Sequence, residues 1–126
     1  ILRHQWSGYR EEDSPIRISA HPDALGRRMG KDILSDHNID KWGRVRAMDV
    51  MPHGLWSRED ADAFYMLAAD CGITAYGVYP DWEPDAGVHL GMRSGVEIGS
   101  PAVWGAVRHD GRQVYTTYTD AVDHFV

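Results

Sequence analysis

The clearest periodicity in the chain lies between Ser57 and Gly72. Ala61, Phe64, Leu67, Ala68 and Cys71 recur at three- and four-residue intervals, while Asp62, Tyr65 and Asp70 fall on the other face. Ser57 is suited to cap the first turn, with Asp60 where a capping box places its acidic partner, and Gly72 supplies the stop. The pattern predicts the principal helix, with Cys71 on its buried stripe.

Elsewhere the apolar runs are short. Val45–Met51, Ile73–Tyr79 and Val88–Met92 read as strands, the last two separated by a loop rich in Pro, Asp and Trp. Val103–His109 and Gln113–Thr119 flank Asp110-Gly111, a dipeptide that favours the tight turn of a hairpin. A short helix is expected from Pro22, weakened by Gly26 and Gly30, and Ser35–Gly43 reads as a polar loop. One main helix among several strands predicts a single α+β domain over residues 1–126, with a mostly antiparallel sheet and flanking helices.

The 43% apolar and 25% charged content is that of an ordinary globular chain. A net charge of −6 argues against nucleic acid as a partner, because phosphate binding needs clustered cations. Two small basic groups, Arg27-Arg28 with Lys31 and Lys41 with Arg44 and Arg46, read as solvated edges of helices and loops. No apolar run approaches the roughly 20 residues that span a bilayer, so no membrane insertion is expected. Cys71 is the single cysteine, which excludes an intramolecular disulfide.

Chemistry enters at Asp49. A carboxylate inside Ala47-Met48-Asp49-Val50-Met51 faces a desolvation cost that hydrogen bonds or a metal must offset. His37 on the preceding loop and His89, within Gly87-Val88-His89-Leu90-Gly91-Met92, complete a donor set of the kind zinc takes when one position stays open, provided the two strands meet. His21 is expected to cap or flank the first helix instead.

Four segments in order resemble the LAS-type zinc peptidases, particularly the M15-like D-Ala-D-Ala carboxypeptidases and phage cell-wall endopeptidases. They are Ser7-Gly8-Tyr9-Arg10, Ser35-Asp36-His37-Asn38, Gly43-Arg44 through Ala47-Met48-Asp49-Val50, and Gly87-Val88-His89-Leu90-Gly91-Met92-Arg93, with a fainter echo in Trp104-Gly105. The resemblance implies a Hedgehog/DD-peptidase-like fold, Zn2+ on His37, Asp49 and His89, and Arg10 holding a substrate carbonyl or carboxylate. It also implies a peptidoglycan stem peptide as substrate and action at the bacterial cell wall, as in a phage endolysin or a virion-associated enzyme with other virion proteins as partners.

Three departures from the family pattern stand out. His37 and Asp49 are twelve positions apart, more than the common family spacing; the alternative start, Ser19-Ala20-His21 with Asp32, lacks the apolar strand that should follow. The acidic residue expected three positions before the last histidine is replaced by Ala86, which leaves Asp85 as the first candidate base and Asp81 as the second. Gly87 stands where the family often has another histidine, a role that His53 could fill. Tyr79, Trp82 and Trp42 are candidate groove walls. A zinc-stabilised structural or binding domain without catalysis, such as a virion component, is the competing expectation, and an amide hydrolase acting on a small metabolite is a third.

Overall fold

A computed structural model of the chain describes Trp6 and residues 16–18, 27–52, 54–55 and 57–125. Arg10 with its Ser-Gly-Tyr-Arg segment, the helix expected from Pro22, His21 and His53 lie outside these residues. The described elements run β1 (Arg17–Ile18), α1 (Ile39–Trp42), β2 (Ala47–Met51), α2 (Arg58–Asp70), β3 (Ala75–Tyr79), β4 (Gly87–Gly91), β5 (Ala102–His109), β6 (Arg112–Thr116) and α3 (Tyr118–Val122). The strands form one sheet in the order β1-β2-β4-β3-β5-β6, and every neighbouring pair is antiparallel except β3 with β5. This is the mostly antiparallel α+β domain that the apolar pattern predicts.

Alternation along the central strands separates two chemistries. Val50, Val88, Leu90, Tyr76 and Val78 turn to one face and pack with Ala61, Phe64 and Ala68 of α2 and with Ala121 and Val122 of α3. Trp6 meets Phe64 edge to face at 5.1 Å. The buried Tyr76 hydroxyl donates to the Ala61 carbonyl at 3.1 Å, tying β3 to the helix. The opposite face carries the polar row. Asp49 pairs with His89, His89 with Gly77, and Gly77 with Trp104 across four adjacent strands.

Local signals explain most boundaries. Ser57 accepts from the Asp60 amide at 3.1 Å, and Gly72 takes a φ of +90° just past the helix end. Asp110 and Gly111 both adopt positive φ, 51° and 76°, as a two-residue turn between β5 and β6 requires. Three expectations need correction. Cys71 caps the helix and is only partly buried, because the stripe turns away at its last residue and Ala69 is buried instead. The second hairpin arm ends at Thr116, where Thr117 caps α3 by accepting from the Asp120 amide. The polar stretch after Ser35 is not all loop, since Asn38 caps the one-turn helix α1 and Gly43 closes it at φ +70°.

The sheet meets α3 without room to spare at Gly105. A Cβ there would lie 2.2 Å from the Ala121 Cβ and 3.2 Å from the Thr117 carbonyl oxygen. Neither obstacle is the far end of a flexible side chain. Gly105→Ala is therefore expected to destabilise the fold by about 1–3 kcal/mol. Chemical denaturation checks this, and an unchanged midpoint and slope would show that α3 shifts freely.

Candidate metal centre

His37, Asp49 and His89 are brought together, each buried, by two different local devices. Asp49 and His89 need only the β2–β4 register, which sets them directly opposite. His37 depends on its loop being rigid. Its carbonyl accepts from the Arg27 amide at 2.8 Å, its amide donates to Ser35 Oγ at 3.2 Å, and the neighbouring Asn38 side chain is fully engaged. Asn38 Nδ2 donates to the carbonyls of Gly30 and Ile33, and its Oδ1 accepts from the amides of Met29 and Asp40. A completely buried amide with both ends satisfied pins the loop in place.

The donor spacing identifies what the cluster suits. His37 Nε2 lies 3.4 Å and His89 Nδ1 3.2 Å from Asp49 Oδ1, and one atom from each residue falls within 4.8 Å of the others. An ion held tetrahedrally at about 2.0–2.1 Å would set its ligand atoms roughly 3.3 Å apart. A direct N–H···O bond would instead be about 2.9 Å. Asp49 Oδ1 is buried and has no hydrogen-bond partner among the described residues. Such an orphan normally needs an explanation, and an ion shared with two imidazoles supplies one. The group could hold a metal ion.

Electrostatics around the cluster are set by a second carboxylate. Asp36, almost wholly buried, accepts from Arg46 Nε and Nη2 on Oδ1 at 3.1 and 2.8 Å and from Arg93 Nε on Oδ2 at 2.9 Å, and Arg93 Nη2 forms an ion pair with the same Oδ2 at 2.8 Å. His89 Nε2 lies 3.4 Å from the same Oδ2. Burial raises the Asp36 pKa, but the contacts to His89, Arg93 and Arg46 outweigh it and hold the carboxyl well below its usual range. Asp49 is lowered likewise: burial opposes ionisation, and His37 and His89 overcome it. For His89, burial disfavours the imidazolium, yet the contacts with Asp36 and Asp49 prevail and raise its pKa.

Arg46 and Arg93 reach Asp36 because they leave adjacent strand ends. Ala47 pairs with Gly91, and the Met92 amide donates to the Arg46 carbonyl at 2.9 Å. The Arg93 amide is fixed to Thr74 Oγ1 at 2.6 Å. The Arg46 guanidinium also lies 3.3 Å over the Trp42 ring. Two expectations change as a result. Arg46 is an inward ion-pair partner rather than a solvated edge. Trp42 serves as a platform beneath that guanidinium, its Nε1 donating to the Ser35 carbonyl, and does not line the groove.

The donor triad opens on a cleft of about 1010 Å³ whose walls include Tyr79, Trp82, Trp104 and Tyr115. Two glycines make this possible. A Cβ at Gly77 would sit 2.6 Å from the Trp104 indole, and one at Gly87 would sit 2.5 Å from Trp82 and 2.9 Å from the Val50 carbonyl oxygen. The indoles therefore lie against the sheet where ordinary side chains would project. Trp82 stacks on Tyr79 at 4.2 Å, and Trp104 Nε1 donates to the Tyr79 hydroxyl at 3.1 Å. Gly87 thus has a steric reason: Trp82 fills the space that a side chain there would take.

The two candidate bases separate. Asp85 lines the cleft together with His37, Asp49 and His89. Asp81 does not. Its Oδ2 accepts from the Arg108 amide at 2.7 Å and lies 3.2 Å from His124 Nδ1.

Sequence reasoning passed over Asp36 as a functional group, although it adjoins His37, because its two arginine partners are 10 and 57 positions away. Neither a protein-family model, nor a curated protein, nor a solved structure matches the chain.

Proposed function

We propose that this chain is a zinc-dependent peptidase of the Hedgehog/DD-peptidase-like type that hydrolyses a peptide bond in the stem peptide of peptidoglycan. The observation that carries the reading is the metal-like spacing of His37 Nε2, Asp49 Oδ1 and His89 Nδ1 in the lining of a cleft. Two imidazoles and one carboxylate are the donors of catalytic zinc sites, which leave a position for water or substrate. The ordered segments from Ser35 to Arg93 support the peptidase assignment through their resemblance to that family.

Zinc, when bound, supplies Lewis acidity to a peptide carbonyl and to an attacking water. The protein's own groups do the rest. Asp85 takes the proton from that water and returns one to the departing amine. Tyr79, Trp82 and Trp104 present apolar surface along the cleft and exclude water from the peptide on either side of the reacting bond. By the resemblance of its Ser-Gly-Tyr-Arg segment to that family, Arg10 is the cation proposed to oppose charge on the substrate carbonyl.

Two measurements test this reading. The protein is expected to bind about one zinc per chain and to release new amino or carboxyl termini from purified peptidoglycan or a synthetic stem peptide. Chelation should stop that release, and added zinc should restore it. Full hydrolysis in metal-free protein would sink the proposal.

A second reading, a zinc-stabilised domain without catalysis such as a virion component, draws support from Ala86 at the family's acidic position and from the engagement of Asp81 with Arg108 and His124. It predicts tight zinc, a large rise in Tm on zinc binding and no hydrolysis of any wall fragment.

A further inference from the structure

The geometry points to Asp36 as the positioning residue of the metal centre, holding His89 in the tautomer that turns its Nδ1 lone pair toward the ion. This rests on the metal-site reading above and deepens it. The His89 imidazole stands between two carboxylates, with Nδ1 3.2 Å from Asp49 Oδ1 and Nε2 3.4 Å from Asp36 Oδ2. A neutral imidazole carries one proton and one lone pair, so one carboxylate must face each. Asp36 Oδ2 is already fixed by Arg93, and Oδ1 by Arg46, so this carboxylate, although it borders the cleft, is committed to the two guanidiniums rather than free to serve as a ligand itself. A proton on Nε2 facing Asp36 gives the oxygen a donor and frees Nδ1 to face Asp49, where the metal would sit.

The arrangement matches a general feature of metal sites, in which a ligating histidine donates its second N–H to a carboxylate that sets ring orientation and basicity. What is particular here is how the carboxylate is held. Two arginines from the ends of β2 and β4 clamp it, and those strands also carry Asp49 and His89. The same register therefore places two ligands and the group that orients one of them. Neither His37 Nδ1 nor His89 Nε2 meets full hydrogen-bond geometry among the described residues, but His89 Nε2 has Asp36 Oδ2 at 3.4 Å, and His37 Nδ1 has no such carboxylate contact there. Orientation of the first histidine comes from its loop instead.

The test begins with the wild-type protein. Long-range proton–nitrogen NMR correlations of the histidine rings, recorded metal-free at alkaline pH and again with zinc, are expected to show His89 protonated at Nε2 in both states. A His89 ring protonated at Nδ1 overturns the proposal, with no variant required. Asp36→Asn supplies the second arm. It is expected to weaken zinc binding about 10–100-fold and to alter the visible spectrum of the cobalt-substituted protein. Wild-type affinity together with an unchanged cobalt spectrum would overturn the proposal. If wild-type protein binds no zinc, the metal-site reading fails while the metal-free NMR result still decides the Asp36 contact.

Discussion

Asp49→Ala is expected to lose zinc binding by on the order of 100-fold or more, and peptide hydrolysis with it. The expectation exceeds the roughly 10–100-fold typical of losing an outer contact to a metal site, because Asp49 would be a ligand itself. Asp49 Oδ1 lies within 3.4 Å of both imidazole donors, so its removal takes away the ligand that the two histidines share. A competition assay against a chromophoric chelator measures the affinity. Thermal denaturation with and without the ion adds a readout that does not depend on activity, since a ligand stabilises only the state that binds it. Zinc should raise the Tm of the wild type and leave that of Asp49→Ala almost unmoved. His37→Ala and His89→Ala should behave alike. Near-normal zinc in all three variants would show that the cluster is a buried polar network and not a metal site.

The legibility of this site in the sequence varied from residue to residue for physical reasons. Asp49 was readable because a carboxylate in an apolar strand is costly, and the cost itself announces a partner. His89 was readable as a strand residue, but its meeting with Asp49 depends on strand order. β2 and β4 are neighbours although α2 and β3 intervene in the chain, and no local pattern encodes that. The helix from Ser57 and the Asp110-Gly111 hairpin were local and came through nearly intact. α1 did not, because four residues carry too little periodicity to stand out from a polar loop.

Charge was the hardest feature to read. Arg46 and Lys41 lie five positions apart in a stretch that looks uniformly basic, yet Arg46 turns inward to Asp36 while Lys41 reaches the Lys31 carbonyl at the surface. Only the three-dimensional position of Asp36 distinguishes them. The glycines carried a similar hidden message. A glycine inside an apolar run names no partner by itself: what Gly77 and Gly87 admit, the flat approach of Trp104 and Trp82, depends on β5 and on the loop before β4.

That loop also carries Asp85, the proposed proton acceptor, which makes it the second decisive position. Asp85→Asn preserves size and polarity while removing the basic carboxylate. It is expected to keep zinc affinity near the wild-type value and to lower turnover by on the order of 10²–10⁴-fold, the range associated with a positioned general base. The separation of the two readouts is the point of the experiment, since Asp49→Ala should lose both. Asp85 shares the cleft with the donor triad, whereas Asp81 is held by Arg108 and His124, so Asp81→Asn should have a much smaller effect on turnover. The measurement is steady-state cleavage of a stem peptide by zinc-loaded protein, with metal content determined on the same samples. Full turnover in Asp85→Asn would remove it as the base. A collapse in Asp81→Asn alone would mean that the loop between β3 and β4 rearranges when substrate is bound, bringing a carboxylate that now braces β5 into the cleft.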